Sequence, residues 1–183
     1  DLVFTDKKSL DEIKEVLKKL NFEEKKSLIK IFKRYNETED EKNKPVMMIG
    51  KEIRFDLFLD VIITFKMSES IINRVRETHE FENFIVKVVS PEDIILLKSA
   101  TEREKDKADA LNLIEKFNIN WEIIIEESVN QTKIESYLFP VYLFDFLYEL
   151  KEDLKADIPK DVIDKIRNIG EKLLEEKLKK KNK

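Results

Sequence analysis

The sequence contains no cysteine, two glycines, and one histidine, one tryptophan and one glutamine among 183 residues. Without cysteine there is no disulfide framework, no thiolate metal site and no cysteine nucleophile. With His79 as the sole histidine, a Ser-His-Asp triad or a zinc site would have to be built around that one residue. It stands in Thr78-His79-Glu80, among polar neighbours, and reads as a solvated surface side chain. No apolar run reaches the roughly 18 residues of a membrane span, and no signal peptide precedes the first strand. The expectation is a cytoplasmic protein that does not engage a membrane. A net charge of −4 and an isoelectric point near 5.4 argue against strong non-specific binding to nucleic acid. The basic run Lys177 to Lys183 reads as a solvated terminus.

What is present is a chain 42% hydrophobic and 40% charged. That apolar fraction is too high for a disordered polymer and sufficient for one domain, or for a small core with a helical extension. Lys, Glu and Ile dominate. This resembles the bias of proteins from hot environments, where surface ion-pair networks replace thermolabile side chains.

Patterning predicts the elements. Asp1 to Thr5 reads as a strand, followed by a helix capped by Asp6 or Ser9 that runs to about Leu20 and turns Leu10, Ile13, Val16, Leu17 and Leu20 inward. A second helix is expected from Glu23 to Tyr35, with Leu28, Ile31 and Phe32 inward, then an exposed loop from Asn36 to Pro45. Val46–Ile49 and Glu52 to about Val61 read as strands joined at Gly50-Lys51. In the second strand Ile53, Phe55, Leu57 and Leu59 point one way, and Arg54, Asp56, Phe58 and Asp60 the other. A helix from Glu69 to about Thr78 is capped by Ser68, and Phe84–Val89 is a strand. Ser90-Pro91-Glu92-Asp93 is a strong helix start, with a cap, a first-turn proline and two acids. That helix ends near Ala100, and another starts at Thr101. From Trp121 the strand signals stop, and helices are expected at Trp121–Val129, Glu135–Lys151 and Pro159–Lys181. The fold class is α+β: a small mixed sheet with flanking helices over residues 1–118, then a helical region over 119–183.

Three features carry chemistry. Asp1 heads a strand, and Asp56 sits inside an alternating strand. Strand carboxylates can converge on a hard divalent cation, and Mg²⁺ takes one or two carboxylates plus substrate phosphates. The third is the run Ser90 to Asp109, in which Arg103, Asp106 and Asp109 step by three along one helix face, with Lys98 preceding them. The bland alternatives are a strand aspartate paired with Arg54 or Lys66, and a charged helix face in water.

The combination resembles archaeal nucleotidyltransferase-like proteins, relatives of the AbiEii-type toxins. Ser90 to Asp109 is similar to the family's segment S-P-E-D-I-x-x-x-K-S-x-T-x-R-x-x-D-x-x-D. Asn120-Trp121-Glu122-Ile123-Ile124 resembles its next helix start, Arg54-Phe55-Asp56-Leu57-Phe58 its third-acid strand, and Asp1-Leu2-Val3-Phe4 the second half of its D-x-D strand. The resemblance implies a nucleotidyltransferase that uses Mg²⁺ to move a nucleoside monophosphate from an NTP to a hydroxyl on RNA or protein. It implies Asp1 and Asp56 as catalytic metal ligands and Lys98 as a catalytic group on nucleotide phosphate or developing charge. Arg103, Asp106 and Asp109 match the later polar positions, which bind nucleotide or organise Lys98. The family's Gly-Ser or Gly-Gly-Thr turn and its first acid are not among these residues, so the chain as given is expected to be inactive. The alternative is a non-catalytic binding module or a toxin–antitoxin-like component. Three geometric expectations follow: Asp1 beside Asp56 on one sheet face, Lys98 in the same cleft as Asp56, and an ion-pair network of Arg103 with Asp106 or Asp109 around Lys98.

Overall fold

A computed structural model of the chain describes residues 1–26, 45–75, 77–82, 84–101 and 103–181. The expected inward residues Leu28, Ile31 and Phe32, and the expected loop up to residue 44, lie outside the described residues. The fold is α+β, with a small mixed sheet, helices and a C-terminal helical region. Two compact units divide the chain, Asp1–Met67 and Ser68–Lys183. Among the described residues the last strand ends at Val88 and helices alone follow from Pro91, inside the second unit.

In the first unit, strands β1 (Leu2–Phe4), β2 (Glu23–Lys26), β3 (Val46–Ile49) and β4 (Arg54–Leu59) form one sheet in the order β1-β4-β3-β2. β1 runs parallel to β4, and the other pairs are antiparallel. Helix α1 (Lys7–Lys19) starts where the Asp6 carboxylate accepts the Ser9 backbone N–H at 2.9 Å. Its buried face is Leu10 and Leu17, with Ile13 packed beside them against Met48, Leu57, Leu2, Phe4 and Phe55. Val16 and Leu20, expected inward, are 48% and 63% exposed. They lie at the edge of the stripe that Leu10, Ile13 and Leu17 define at 100° per residue.

The expected helix from Glu23 is corrected: Glu23–Lys26 is a strand paired antiparallel with β3. The cause is the end of α1. Asn21 adopts the left-handed conformation at φ 65°, and the N–H groups of Asn21 and Phe22 return to the carbonyls of Lys18 and Leu17. This Schellman turn reverses the chain and seats Phe22 in the core. Glu-Glu-Lys-Lys has no apolar alternation because, among the described strands, it lies at an edge of the sheet, where charge is favoured.

β4 is shorter than expected. Asp60, at φ 62°, breaks it, and Val61–Ile62 (β5) pairs with Phe65–Lys66 (β6) in a separate hairpin. The alternation of β4 is as its pattern dictates: Leu57 is 1% exposed on the α1 side, and Asp56 takes the opposite face.

The second unit opens with α2 (Glu69–Arg74), capped by Ser68. A second correction applies here. α2 stops before Val75, and Glu77–Phe81 (β7) pairs with Phe84–Val88 (β8) in a hairpin with Phe81 opposite Phe84. β-branched Thr78 and aromatic Phe81 favour the extended state, and a partner strand follows at once. His79 is exposed on this hairpin and bonds Glu77 at 2.7 Å.

Helix α3 (Pro91–Ser99) begins at the Ser90 cap, as expected. Helix α4 (Glu104–Lys116) starts three residues later than the expected Thr101, because the Thr101 hydroxyl is drawn to the Asp106 carboxylate and Arg103 takes the extended cap position. Helix α5 spans Trp121–Ile134. Helix α6 (Phe139–Glu152) begins four residues later than expected, since Pro140 is tolerated only in a first turn. Helix α7 is Lys160–Lys181. Leu143, Leu147 and Leu150 of α6 are fully buried, as are Ile124 and Ile166; each such side chain stabilises the fold by about 1.5–3 kcal/mol. Among the described residues, no helix is long and apolar enough to cross a membrane.

Candidate functional site

The acids of the first unit are positioned by strand register. Leu2 lies opposite Leu57 and Val3 opposite Phe58. Carried back by one residue, this parallel register would bring Asp1, just before the paired strand, level with Asp56. Leu2 and Leu57 face the core, so the period of two turns both aspartates to the other face. The Asp56 side chain is 16% exposed, and both of its oxygens are taken by one neighbour. Arg54 donates from Nε to Oδ1 at 2.7 Å and from Nη2 to Oδ2 at 2.6 Å. The two residues share a face because they are two apart in one strand, and the planar guanidinium matches the carboxylate in the two-point geometry that arginine favours.

The second cluster lies in the corner between α3 and α4. The Lys98 ammonium donates to Asp106 Oδ1 at 2.8 Å and to Asp109 Oδ2 at 2.7 Å. Arg103 donates from Nε to Asp106 Oδ2 at 2.6 Å and from Nη2 to Oδ1 at 3.2 Å, and the Thr101 hydroxyl donates to the same carboxylate. Asp106 is closed to solvent. Burial pushes its carboxyl up, but Arg103, Lys98 and Thr101 outweigh burial and hold it below the ordinary aspartate value. Burial likewise disfavours the Lys98 ammonium, and the two acids outweigh it and raise Lys98. Two positive and two negative groups form a self-neutralised brace across the helix corner.

The structure thus brings Lys98, Arg103, Asp106 and Asp109 into one cluster in the second unit, and holds Asp56 on β4 in the first, with Asp1 one residue before the paired stretch of β1. Among the described residues, no group of three or more acidic or histidine side chains is placed to hold a metal.

A third network was not read from the sequence. Arg74, at the end of α2, donates to Asp93 Oδ1 at 2.5 Å and to Glu127 Oε2 at 3.1 Å. Both acids are closed to solvent, at 0% and 1% exposure. Glu127 also accepts from Ser68 at 2.8 Å, Ser70 at 2.5 Å, Gln131 at 3.0 Å and Asn130 at 3.2 Å. Burial raises the Glu127 carboxyl, and these donors together bring it below its ordinary value. Ser90 donates to Asp93 at 2.9 Å. One guanidinium therefore ties α2 to α3 and α5. The available signal was Glu127 and Gln131, polar residues one turn apart among the inward positions of a helix containing Ile124, Ile125 and Ser128. Asp93 was read as a favourable first-turn acid, which it also is. Another buried acid of α3, Glu92, accepts the Asn120 backbone N–H at 2.9 Å just before α5.

No curated protein and no solved structure matches the chain. Residues 43–140 match the model of a family described as nucleotidyl transferase of unknown function (DUF2204). That span holds more than half of the chain, including Arg54 and Asp56 on β4, the Lys98 cluster and the Arg74 network. A match over more than half of its length shows that the chain belongs to this nucleotidyl transferase family.

Proposed function

We propose that the chain carries residues for metal-dependent transfer of a nucleoside monophosphate from an NTP to a hydroxyl on RNA or protein, and label transfer by residues 1–183 alone would overturn the inactivity expected of them. The observation that supports this reading is the register of β1 on β4, Leu2 opposite Leu57, which carried back one residue would bring Asp1 level with Asp56 on the face turned away from the core. Carboxylate oxygens are the donors Mg²⁺ prefers, and a pair on adjacent strands fits one such ion whose remaining positions go to substrate phosphates and water. Asp1 and Asp56 would hold it. Bound there, Mg²⁺ supplies charge neutralisation for the polyphosphate and acidifies the attacking hydroxyl. Lys98 spends two of its three ammonium hydrogens on Asp106 and Asp109, and the third is assigned to a nucleotide phosphate oxygen. Arg103, Asp106 and Asp109 fix its direction. The residues that carry chemistry then lie within 1–118, and the helical region 119–183 contributes none of them. An NTP substrate places the activity in the cytoplasm.

The test is transfer of label from α-labelled NTPs to total RNA and to candidate proteins, with Mg²⁺, for the wild type and Asp56→Asn. Label transfer that Asp56→Asn lowers by about a hundredfold or more supports the reading. Transfer that survives Asp56→Asn overturns it. A second reading, a non-catalytic binding module or toxin–antitoxin-like component, is favoured by one observation: no third carboxylate joins the pair among the described residues. NTP binding without transfer marks that outcome.

A further inference from the structure

Arg54 has a place in this arrangement beyond a surface ion pair. Its guanidinium covers both oxygens of Asp56, the atoms that the proposed function assigns to a cation. The two partners differ in freedom. Asp56 is 16% exposed and lies in a strand paired on both sides, so its carboxylate has little room to move. Arg54 is 48% exposed, at the first position of β4, directly after the Gly50–Ile53 turn. Its long side chain can leave Asp56 without disturbing the sheet. A guanidinium and a divalent cation on one carboxylate repel each other, so an ion arriving at Asp56 must displace Arg54 or accept weaker binding. Once displaced, Arg54 remains on the same sheet face, and its fork of donors suits phosphate as well as carboxylate.

We propose that Arg54 is an exchangeable counter-ion. It neutralises Asp56 when no cation is bound, and it transfers to the nucleotide polyphosphate when a divalent cation takes its place. The proposal rests on the reading of Asp56 as a metal ligand. Arg54 is thereby a positioning group for Asp56 in one state and a substrate ligand in the other.

The experiment uses the full chain as wild type, Arg54→Met, Arg54→Lys and Asp56→Asn, with far-UV circular dichroism to verify folding. Mn²⁺ alone is titrated and followed by the paramagnetic resonance of the free ion. Removing a competing unit charge at a partly screened position should tighten Mn²⁺ binding by about three- to tenfold in Arg54→Met. Arg54→Lys should fall between Arg54→Met and wild type, since it keeps the charge but loses the two-point fit. In a second arm, Mg²⁺ with a non-hydrolysable ATP analogue should bind about tenfold more weakly to Arg54→Met. Unchanged or weaker Mn²⁺ binding in Arg54→Met overturns the counter-ion role, and unchanged analogue affinity overturns the exchange. Asp56→Asn separates the two levels. If Mn²⁺ binding by the wild type is absent, or indifferent to Asp56→Asn, the metal reading fails and takes this proposal with it. If Asp56→Asn abolishes Mn²⁺ binding while Arg54→Met leaves it unchanged, only the proposal for Arg54 falls.

Discussion

Replacing Arg74 with methionine should destabilise the second unit strongly, because it strands two carboxylates that water does not reach. Asp93 and Glu127 are 0% and 1% exposed, and Arg74 bonds each of them. Removing one member of a buried ion pair costs about 3–5 kcal/mol, since the remaining charge is left without its counter-ion. The lower end applies here. Arg74 itself is 23% exposed, and Glu127 keeps neutral donors in Ser68, Ser70, Asn130 and Gln131. Asp93 keeps the Ser90 hydroxyl and bears most of the loss. A cost of about 3 kcal/mol should lower the melting midpoint of a unit this size by roughly 10–15 °C. Trp121, the only tryptophan, lies in the same helix as Glu127, so its fluorescence reports melting of this unit alone. The pH dependence supplies a second check. Glu127 is held below its ordinary value of 4.5, so its contribution is full above that value and is lost as pH falls through the lower native one. Arg74 is raised despite the opposing effect of burial, and its charge persists throughout the acid range. The deficit of Arg74→Met should be full at pH 7, where Glu127 is charged, and shrink below about pH 4.5 as Glu127 is protonated and no longer needs the cation. The double variant Arg74→Met/Asp93→Asn should recover more than half of the loss at pH 7. A midpoint within roughly 2 °C of wild type at pH 7, or a deficit that does not change with pH, would refute the argument.

The brace at the α3–α4 corner gives a milder prediction. Asp106→Asn should cost about 2 kcal/mol at pH 7 by weakening bonds to charged donors. The difference should fade as the wild-type carboxyl is protonated below its ordinary value of 3.8; an equal melting midpoint at pH 7 would contradict it. Lys98→Met removes one of two cations from buried Asp106 and should lower both the melting midpoint and NTP affinity; lost stability with retained affinity would mark a purely structural lysine. In the first unit, a Cβ at Gly50 would stand 2.7 Å from the Phe22 ring, which also packs on Phe55 at 5.5 Å between centroids. Gly50→Ala should cost about 1–3 kcal/mol by circular dichroism, and Phe22→Leu should relieve part of that cost. Leu147→Ala, at a position with no exposure, should cost about 2–5 kcal/mol in a tryptophan-fluorescence melt.

Legibility in the sequence followed how local each cause was. Ser90-Pro91-Glu92-Asp93 announces a helix because cap, proline and acids act within one turn, and α3 begins there. The face of Asp56 was legible from strand alternation alone. Glu23–Lys26 misled because edge strands carry charge in place of apolar alternation, although Asn21 after Lys18-Lys19-Leu20 was a usable stop signal. The end of α2 and the start of α4 depend on partners outside the local window, namely the β8 strand and the Asp106 carboxylate. The Arg74 network joins residues more than fifty positions apart, Ser68 to Glu127, so no spacing rule announces it. The three-residue spacing of Arg103, Asp106 and Asp109 did point to a shared face, but it said nothing of how deeply Asp106 would be buried.

The parallel pairing of β1 with β4 has a kinetic meaning. Residue 2 meets residue 57, whereas Phe81 meets Phe84 across the β7–β8 hairpin. Closing the longer loop costs more chain entropy before any contact repays it. The three-strand meander of β2, β3 and β4 can assemble first, with β1 docking onto its edge afterwards. Docking of β1, with Asp1 just ahead of it, is then the last and most easily reversed step of the sheet. Amide hydrogen exchange at Leu2 to Phe4 should be faster than at β3, and it measures how often β1 leaves β4 in the otherwise folded protein.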